Sequence, residues 1–277
     1  MPEMQHLEFD SPEELKSTIR CFWYNKRDSE ESKSSFEVIP DGFAEIIFHF
    51  GGGCALSDED ELRSLPSPFL IGLLNQPAVF HTKGNLEIIG IRCFPWTVFD
   101  LLGMPSDKDG ILEIEHPIAR LHDILEKWVD LGKIEKAVDH LKQYFLRSNP
   151  QISFNNMLSK AGIAMRDTNG TMPVSQVAEA AHATVRTLQR NFKQSSGHTV
   201  KDVSGLMRFE KVRNELLLNP DTNLAGLAYE LGYTDQPHLS REFKRYSGVS
   251  PAAFARNAKK FPVINDMVAL KQADDHA

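Results

Sequence analysis

The chain has 277 residues, 41% of them apolar and 25% charged, which suits a soluble globular protein of two ordinary domains and excludes a disordered or fibrous one. The net charge of −7 is divided unevenly: residues 1–150 carry 15 Lys and Arg against 26 Asp and Glu, residues 151–260 carry 15 against 9, and residues 261–277 carry 1 against 3. An acidic half and a basic half imply two jobs, and only the second suits a polyanion. No apolar run is long enough to span a membrane, and the acidic start MPEMQHLEFDSPEE lacks a signal-peptide pattern. Cys21, Cys54 and Cys93 are odd in number and far apart, so the expected location is the reducing cytoplasm.

The first hundred residues read as strands and turns. Ile39-Pro40-Asp41-Gly42 predicts a turn, EIIFHF (Glu45–Phe50) a strand, and Gly51-Gly52-Gly53 a break. FLIGLL (Phe69–Leu74), AVFHT (Ala78–Thr82) and LEIIGIRCF (Leu86–Phe94) continue the pattern, with an acidic loop at Asp58–Glu61. Strands this short and closely spaced predict a small β-barrel or sandwich over residues 1–115. Within EIIFHF, Ile46, Phe48 and Phe50 make a core face; Glu45, Ile47 and His49 face solvent or a pocket.

Arg92 and Trp96, close in sequence, are candidates with Glu45 and His49 to hold an anionic or aromatic ligand. The competing role for Arg92 is an ion pair with Glu45. His49 and His81 are isolated, Cys54 reads as a loop thiol and Cys93 as a small core residue, so no metal, cofactor or catalytic set is expected. Pro95 begins a helix that ends at Gly103.

Residues 116–150 turn helical. One stripe runs Leu121, Ile124, Leu125, Trp128 and another Ile134, Val138, Leu141, Phe145. These helices either cap the β core or form a seam between two copies of the chain. Asn149-Pro150 marks the expected domain border, and the next helix shows Phe154, Met157, Leu158, Ala161 and Met165 on one face.

Residues 151–260 contain a repeat. Val174, Val177, Ala178 and Ala181 recur 50 positions later as Leu224, Leu227, Ala228 and Leu231; LQRNFK (Leu188–Lys193) recurs 51 positions later as LSREFK (Leu239–Lys244). Each copy predicts a helix, a tight turn through His182 or Gly232, a cap at Thr184 or Thr234, and a second helix. The second helices bury leucine and phenylalanine four apart. Their outer rails carry Arg186, Gln189, Arg190 and Lys193 in one copy and Pro237, Ser240, Arg241 and Lys244 in the other. Arginine suits guanine, glutamine adenine and lysine phosphate, so two such rails predict a bipartite DNA reader rather than an ordinary solvated surface. Lys201–Asn219 predicts a continuous helix joining the copies, roughly 28 Å long at ~1.5 Å per residue.

The basic half resembles the DNA-binding domain of AraC/XylS-type bacterial transcription regulators, most specifically at GYTDQPHLSREFKRYSGVSP (Gly232–Pro251). IPDGFAEIIFHF and LEIIGIRCFPW resemble the β-rich N-terminal domain of a less characterised branch of that family. The resemblance implies two helix-turn-helix subdomains on a long helix, following a sensing or dimerising domain. It places base-reading positions at Arg186, Gln189 and Arg190, and at Gln236, Ser240 and Arg241 with Pro237 beside them. His182 departs from the glycine usual there.

The expected protein is an α+β transcription regulator, an activator by family default. Its partners would be promoter DNA and RNA polymerase, with a small-molecule effector and a homodimer as further options. Residues 261–277 would form a tail. The alternative is an enzyme or interaction module tethered to DNA by its C-terminal domain.

Overall fold

A computed structural model of the chain describes residues 4–27, 34–58, 61–104, 110–148, 157–260 and 271–272. The strands are β1 (Met4–Asp10), β2 (Ile19–Arg27), β3 (Ser34–Val38), β4 (Ala44–Gly51), β5 (Cys54–Asp58), β6 (Glu61–Ser64), β7 (Phe69–Ile71), β8 (Ala78–Thr82), β9 (Leu86–Cys93), β10 (Ile111–Glu113) and β11 (Lys271–Gln272). They build two antiparallel sheets, one in the order β1-β2-β9-β4-β7-β10 and the other β11-β3-β8-β5-β6. Among the described residues each sheet keeps two unpaired edges, so the expected barrel or sandwich is a sandwich. The expected acidic loop is the β5–β6 hairpin, in which Asp58 pairs with Glu61; Glu59 and Asp60 lie outside the described residues.

Alternation along the central strands sends side chains into two cores. Ile46, Phe48 and Phe50 of β4, Phe22 and Tyr24 of β2, and Ile89 and Ile91 of β9 point to the outer face of the six-stranded sheet. That face is covered by α1 (Val98–Leu102), α2 (His122–Asp130) and α3 (Ile134–Ser148), through Phe99, Leu125, Val129, Val138, Leu141 and Phe145. The stripe on α3 is therefore buried against the chain's own sheet, which removes it as a seam between copies. The opposite residues, Cys21, Trp23, Ile47, Phe69 and Phe80, fill the space between the sheets. Gly90 of β9 allows the Trp23 indole to lie flat there, since a Cβ on Gly90 would sit 2.0 Å from Trp23 Cε2.

The C-terminal half is helical: α4 (Met157–Asp167), α5 (Val174–Ala180), α6 (Val185–Ser196), α7 (Val200–Leu218), α8 (Leu224–Glu230), α9 (Gln236–Ser247) and α10 (Pro251–Lys260). The face predicted for α4 holds at Leu158, Ala161 and Met165, which are buried, while Phe154 and the Asn149-Pro150 border lie outside the described residues. Thr199 and Asp202 form a reciprocal capping box that starts α7. Leu206, Phe209 and Val212 of α7 join one continuous core with Leu188, Phe192, Leu239 and Phe243.

That core also takes in Ile39, Leu73, Phe94 and Trp96 from the sandwich half. Trp96 stacks on Phe94 with ring centroids 5.3 Å apart and meets Phe192 of α6 at 5.8 Å. Gly162 of α4 makes the approach possible, because a Cβ there would fall 2.0 Å from Trp96 Cζ2. Arg166 lies over the Phe94 ring at 4.0 Å, and Ser195 Oγ donates to Asp100 Oδ2 at 3.4 Å. The two halves thus share a core, and the C-terminal end of α6 rests on the sandwich half.

Candidate DNA-binding surface and ligand cavity

The two helix pairs match element by element. α5 and α8 are both seven residues long, and α6 and α9 are both twelve. Each first helix ends with an N–H of the turn bonded back into it: Ala183 N to Ala178 O, and Tyr233 N to Ala228 O, both 2.9 Å. His182 (φ 52°) and Gly232 (φ 68°) both adopt the left-handed conformation, so the histidine fits the turn that glycine serves in the second copy. Each second helix ends at a left-handed glycine, Gly197 or Gly248, after a serine that donates to the phenylalanine carbonyl one turn back.

One expectation fails in detail. Thr184 caps α6 by accepting from Thr187 N at 3.2 Å, but α9 is capped by Asp235, whose Oδ1 accepts from His238 N at 2.7 Å. Asp235 stands 51 positions after Thr184, so the extra residue of the second copy lies within its turn, ahead of the cap. Threonine and aspartate both cap well, and the sequence alone does not choose between adjacent ones.

Leu188 and Phe192 of α6 and Leu239, Phe243 and Tyr246 of α9 are buried. Arg186, Gln189, Arg190 and Lys193 are exposed on α6; Gln236, Pro237, Arg241 and Lys244 are exposed on α9, where Ser240 is half-buried. Among the described residues, Arg186, Arg190, Arg241 and Lys244 form no ion pair, which leaves their charge available to a polyanion. Arg208 of α7, which the sequence did not single out, ties the two units together. Its Nη1 donates to Gly170 O beside α5 at 3.1 Å, and its Nη2 donates to Glu242 of α9 at 3.3 Å. Glu242 also accepts from Tyr233 Oη at 2.8 Å. The arginine within the copies could be found by repeat; this one could not, because its partners lie 34 and 38 positions away.

The sandwich half holds an apolar cavity with about 50 Å³ open to the centre of a water-sized sphere. Phe36, Ile47, Phe69, Phe80, Leu86 and Ile88 supply much of its wall, with Asn25, Arg27, Glu45 and His49 among the polar members. Of the predicted ligand residues, Glu45 and His49 therefore face this space. Arg92 does not: its Nε donates to Glu45 Oε1 at 2.8 Å and its Nη2 to Asp41 Oδ2 at 2.7 Å, the ion-pair role. Burial pushes the Glu45 carboxyl up against the opposing pull of Arg92, and the nearby Asp41 charge adds to the rise. Trp96 belongs to the shared core instead. His49 Nε2 contacts Leu65 O at 3.3 Å, and burial lowers its pKa. Cys54, expected in a loop, begins β5, is buried in the cavity wall, and has its thiol pushed up to about 12 by burial.

Residues 177–257 match a helix-turn-helix domain family, and residues 7–108 match a domain family of unknown function (DUF6597). The chain is 35% identical over 75 residues to the HTH-type transcriptional activator RhaS of two Escherichia coli strains, O139:H28 (E24377A / ETEC) and SE11. That alignment covers 27% of this chain, and the chain spans about a quarter of the length of these curated relatives. Solved structures with similarity include ToxT from Vibrio cholerae, 11% identical over 91% of this chain and 98% of that one, with a TM-score of 0.42. The C-terminal domain of AraT, a response regulator from Geobacillus stearothermophilus, is 25% identical over 36% of this chain and 84% of its own, with a TM-score of 0.34.

The helix-turn-helix match contains both repeats nearly whole: it begins within α5 and ends within α10. The N-terminal match runs from β1 to just beyond α1, so it takes in the cavity, the Arg92 ion pairs and Trp96. No described helix is long and apolar enough to cross a membrane.

Proposed function

We propose that this protein is a sequence-specific DNA-binding transcription regulator, an activator that acts with RNA polymerase at promoter DNA. The observation that carries the reading is the pair of matched helix-turn-helix units, each with a basic exposed rail, fixed on the single helix α7. At ~1.5 Å per residue, the 19 residues of α7 extend about 28 Å, close to the ~34 Å repeat of the duplex. α6 and α9 would enter two successive major-groove segments on one side of the DNA. Arg186, Gln189 and Arg190, and Gln236, Ser240 and Arg241, read base edges; Lys193 and Lys244 hold phosphate. The activator assignment draws on the likeness to RhaS, an activator by name.

The sandwich half is the effector-sensing half in this reading. Its cavity is walled in part by β3 and β4, and the loop between them carries Ile39, which sits in the core of the DNA-binding half. Asp41 of the same loop holds Arg92, and Gly42 packs close to Leu206 and Glu210 of α7. A change at the cavity wall thus has a short mechanical route to the helix that spaces the two readers.

The test is selection of bound sites from random DNA by the full-length chain. The expected product is a motif of two blocks about 10 base pairs apart, with affinity falling steeply as salt rises. Recovery of no motif, or binding indifferent to salt, removes the proposal.

A further inference from the structure

The cavity wall is mostly apolar, and two of its polar groups have buried atoms without a hydrogen-bond partner among the described residues. Asn25 is buried, 5% exposed, and its Oδ1 has no hydrogen-bond partner among the described residues. Arg27 Nη1 is likewise buried and without a hydrogen bond among them, while its guanidinium lies over the Phe36 ring at 5.7 Å. Both line the cavity from the same face of β2, as residues two apart on a strand must. Strand register places them together with His49: Asn25 and His49 both pair with Ile88, and Arg27 pairs with Leu86, the next residue on that face. At the other end Glu45 pairs with Arg92 across the strands and is already bonded to it. Burial pulls the Arg27 guanidinium below its ordinary range, a cost that a bound anion would offset.

This pattern selects among ligand chemistries. A polyhydroxylated molecule would strand most of its hydroxyls, unpaired, against Phe36, Ile47, Phe69, Phe80 and Ile88. A cation would meet Arg27. A neutral hydrocarbon would fit the wall but leave Arg27 Nη1 and Asn25 unsatisfied. An acid with an apolar body answers every group.

We propose that the cavity binds a small organic acid whose aromatic or aliphatic body lies between the sheets and whose carboxylate accepts from Arg27 Nη1 and the Asn25 amide. The Asn25 amide can present its nitrogen by a half-turn, since oxygen and nitrogen occupy equivalent positions. The inference rests on the reading of the sandwich half as the sensing half, and it names the class of effector. It also moves the anion anchor from Arg92, which the ion pairs occupy, to Arg27.

The experiment is calorimetric titration of the full-length chain with octanoate and 4-phenylbutyrate, each against its matched alcohol, 1-octanol and 4-phenylbutan-1-ol. The acids are expected to bind about tenfold or more tighter than the alcohols, the worth of a charged hydrogen bond. Arg27→Met should erase that difference while the alcohols still bind, and Arg27→Lys should restore part of it. Ile47→Trp, which fills the cavity, should weaken acid and alcohol alike, with the melting profile confirming that the variant is folded. Absence of acid binding by the folded wild-type chain overturns the proposal, as does acid binding that Arg27→Met leaves unchanged. Site selection on ligand-free protein is read separately. DNA binding without acid binding leaves the regulator and removes this site; acid binding without DNA binding does the reverse.

Discussion

Arg190 and Arg241 occupy the same place in α6 and α9, one residue after Gln189 and Ser240 and opposite the buried phenylalanines. If Arg241 reads a base, Arg241→Ala should cost about 1–3 kcal/mol of specific affinity and relax the preference at one base pair. Measured by competition against single-base variants of the selected site, an equal loss at every sequence would make Arg241 a phosphate contact instead. His49 offers a different test. Burial lowers its pKa from the ordinary 6.5, so the folded chain holds this proton less tightly than the unfolded chain does. Its contribution to stability is complete above about 6.5 and is lost as pH falls through the lowered folded value. His49→Gln should therefore lose less melting temperature than the wild type on acidification from about pH 7.5 to about 5.5. Parallel pH profiles for the two proteins would show that His49 holds its proton equally well in the folded and the unfolded chain.

At the scale of elements, α3 shows how an amphipathic stripe acquires its meaning from its surroundings. Ile134, Val138, Leu141 and Phe145 were legible as one face, and the same spacing would serve a seam between copies or a cap on a sheet. The structure spends that face on the six-stranded sheet, where Leu141 is fully buried. Leu141→Glu should then unfold the sandwich half rather than separate two folded protomers, because an unpaired carboxylate would be driven into that core. Loss of the cooperative melt of the soluble chain is the expected result. A folded variant with a changed sedimentation profile would restore the seam. The caps teach the same lesson on a smaller scale: Thr184 was readable, whereas in Thr234-Asp235 either residue has the right chemistry and the length of the turn decides.

Across the whole molecule, the sandwich and the reader are joined by packing and not only by chain connectivity. Trp96 is the centre of that contact, stacked on Phe94, lodged against Gly162 and touching Phe192 of α6. Removing it should cost about 3–5 kcal/mol of contact energy, as for other buried large-to-small changes. Because that energy lies at the contact between halves, Trp96→Ala should split a single calorimetric transition into two, one for each half. One unshifted transition would mean that the halves are held elsewhere. Asp100–Ser195 and Arg166–Phe94 are weaker links at the same contact.

The sequence by itself determined the features that depend on near neighbours. These are the alternation of β4, the stripes of α3 and α4, the duplicated helix-turn-helix with its left-handed turn residues, and the basic rails beside the buried leucine and phenylalanine. Each follows from a side-chain period of two or 3.6 residues, which a linear reading detects. Only the tertiary structure decided what covers each face and which polar groups are left over. Arg92 carries two readings in the sequence, a ligand anchor or an ion pair with Glu45, and the placement of Asp41 and Glu45, 51 and 47 positions away, decides for the ion pair. Asn25 and Arg27 gave no linear signal, because a polar residue on a strand looks the same whether it meets water or an empty cavity. Burial and partner choice are set by contacts between distant segments, and no local period encodes them.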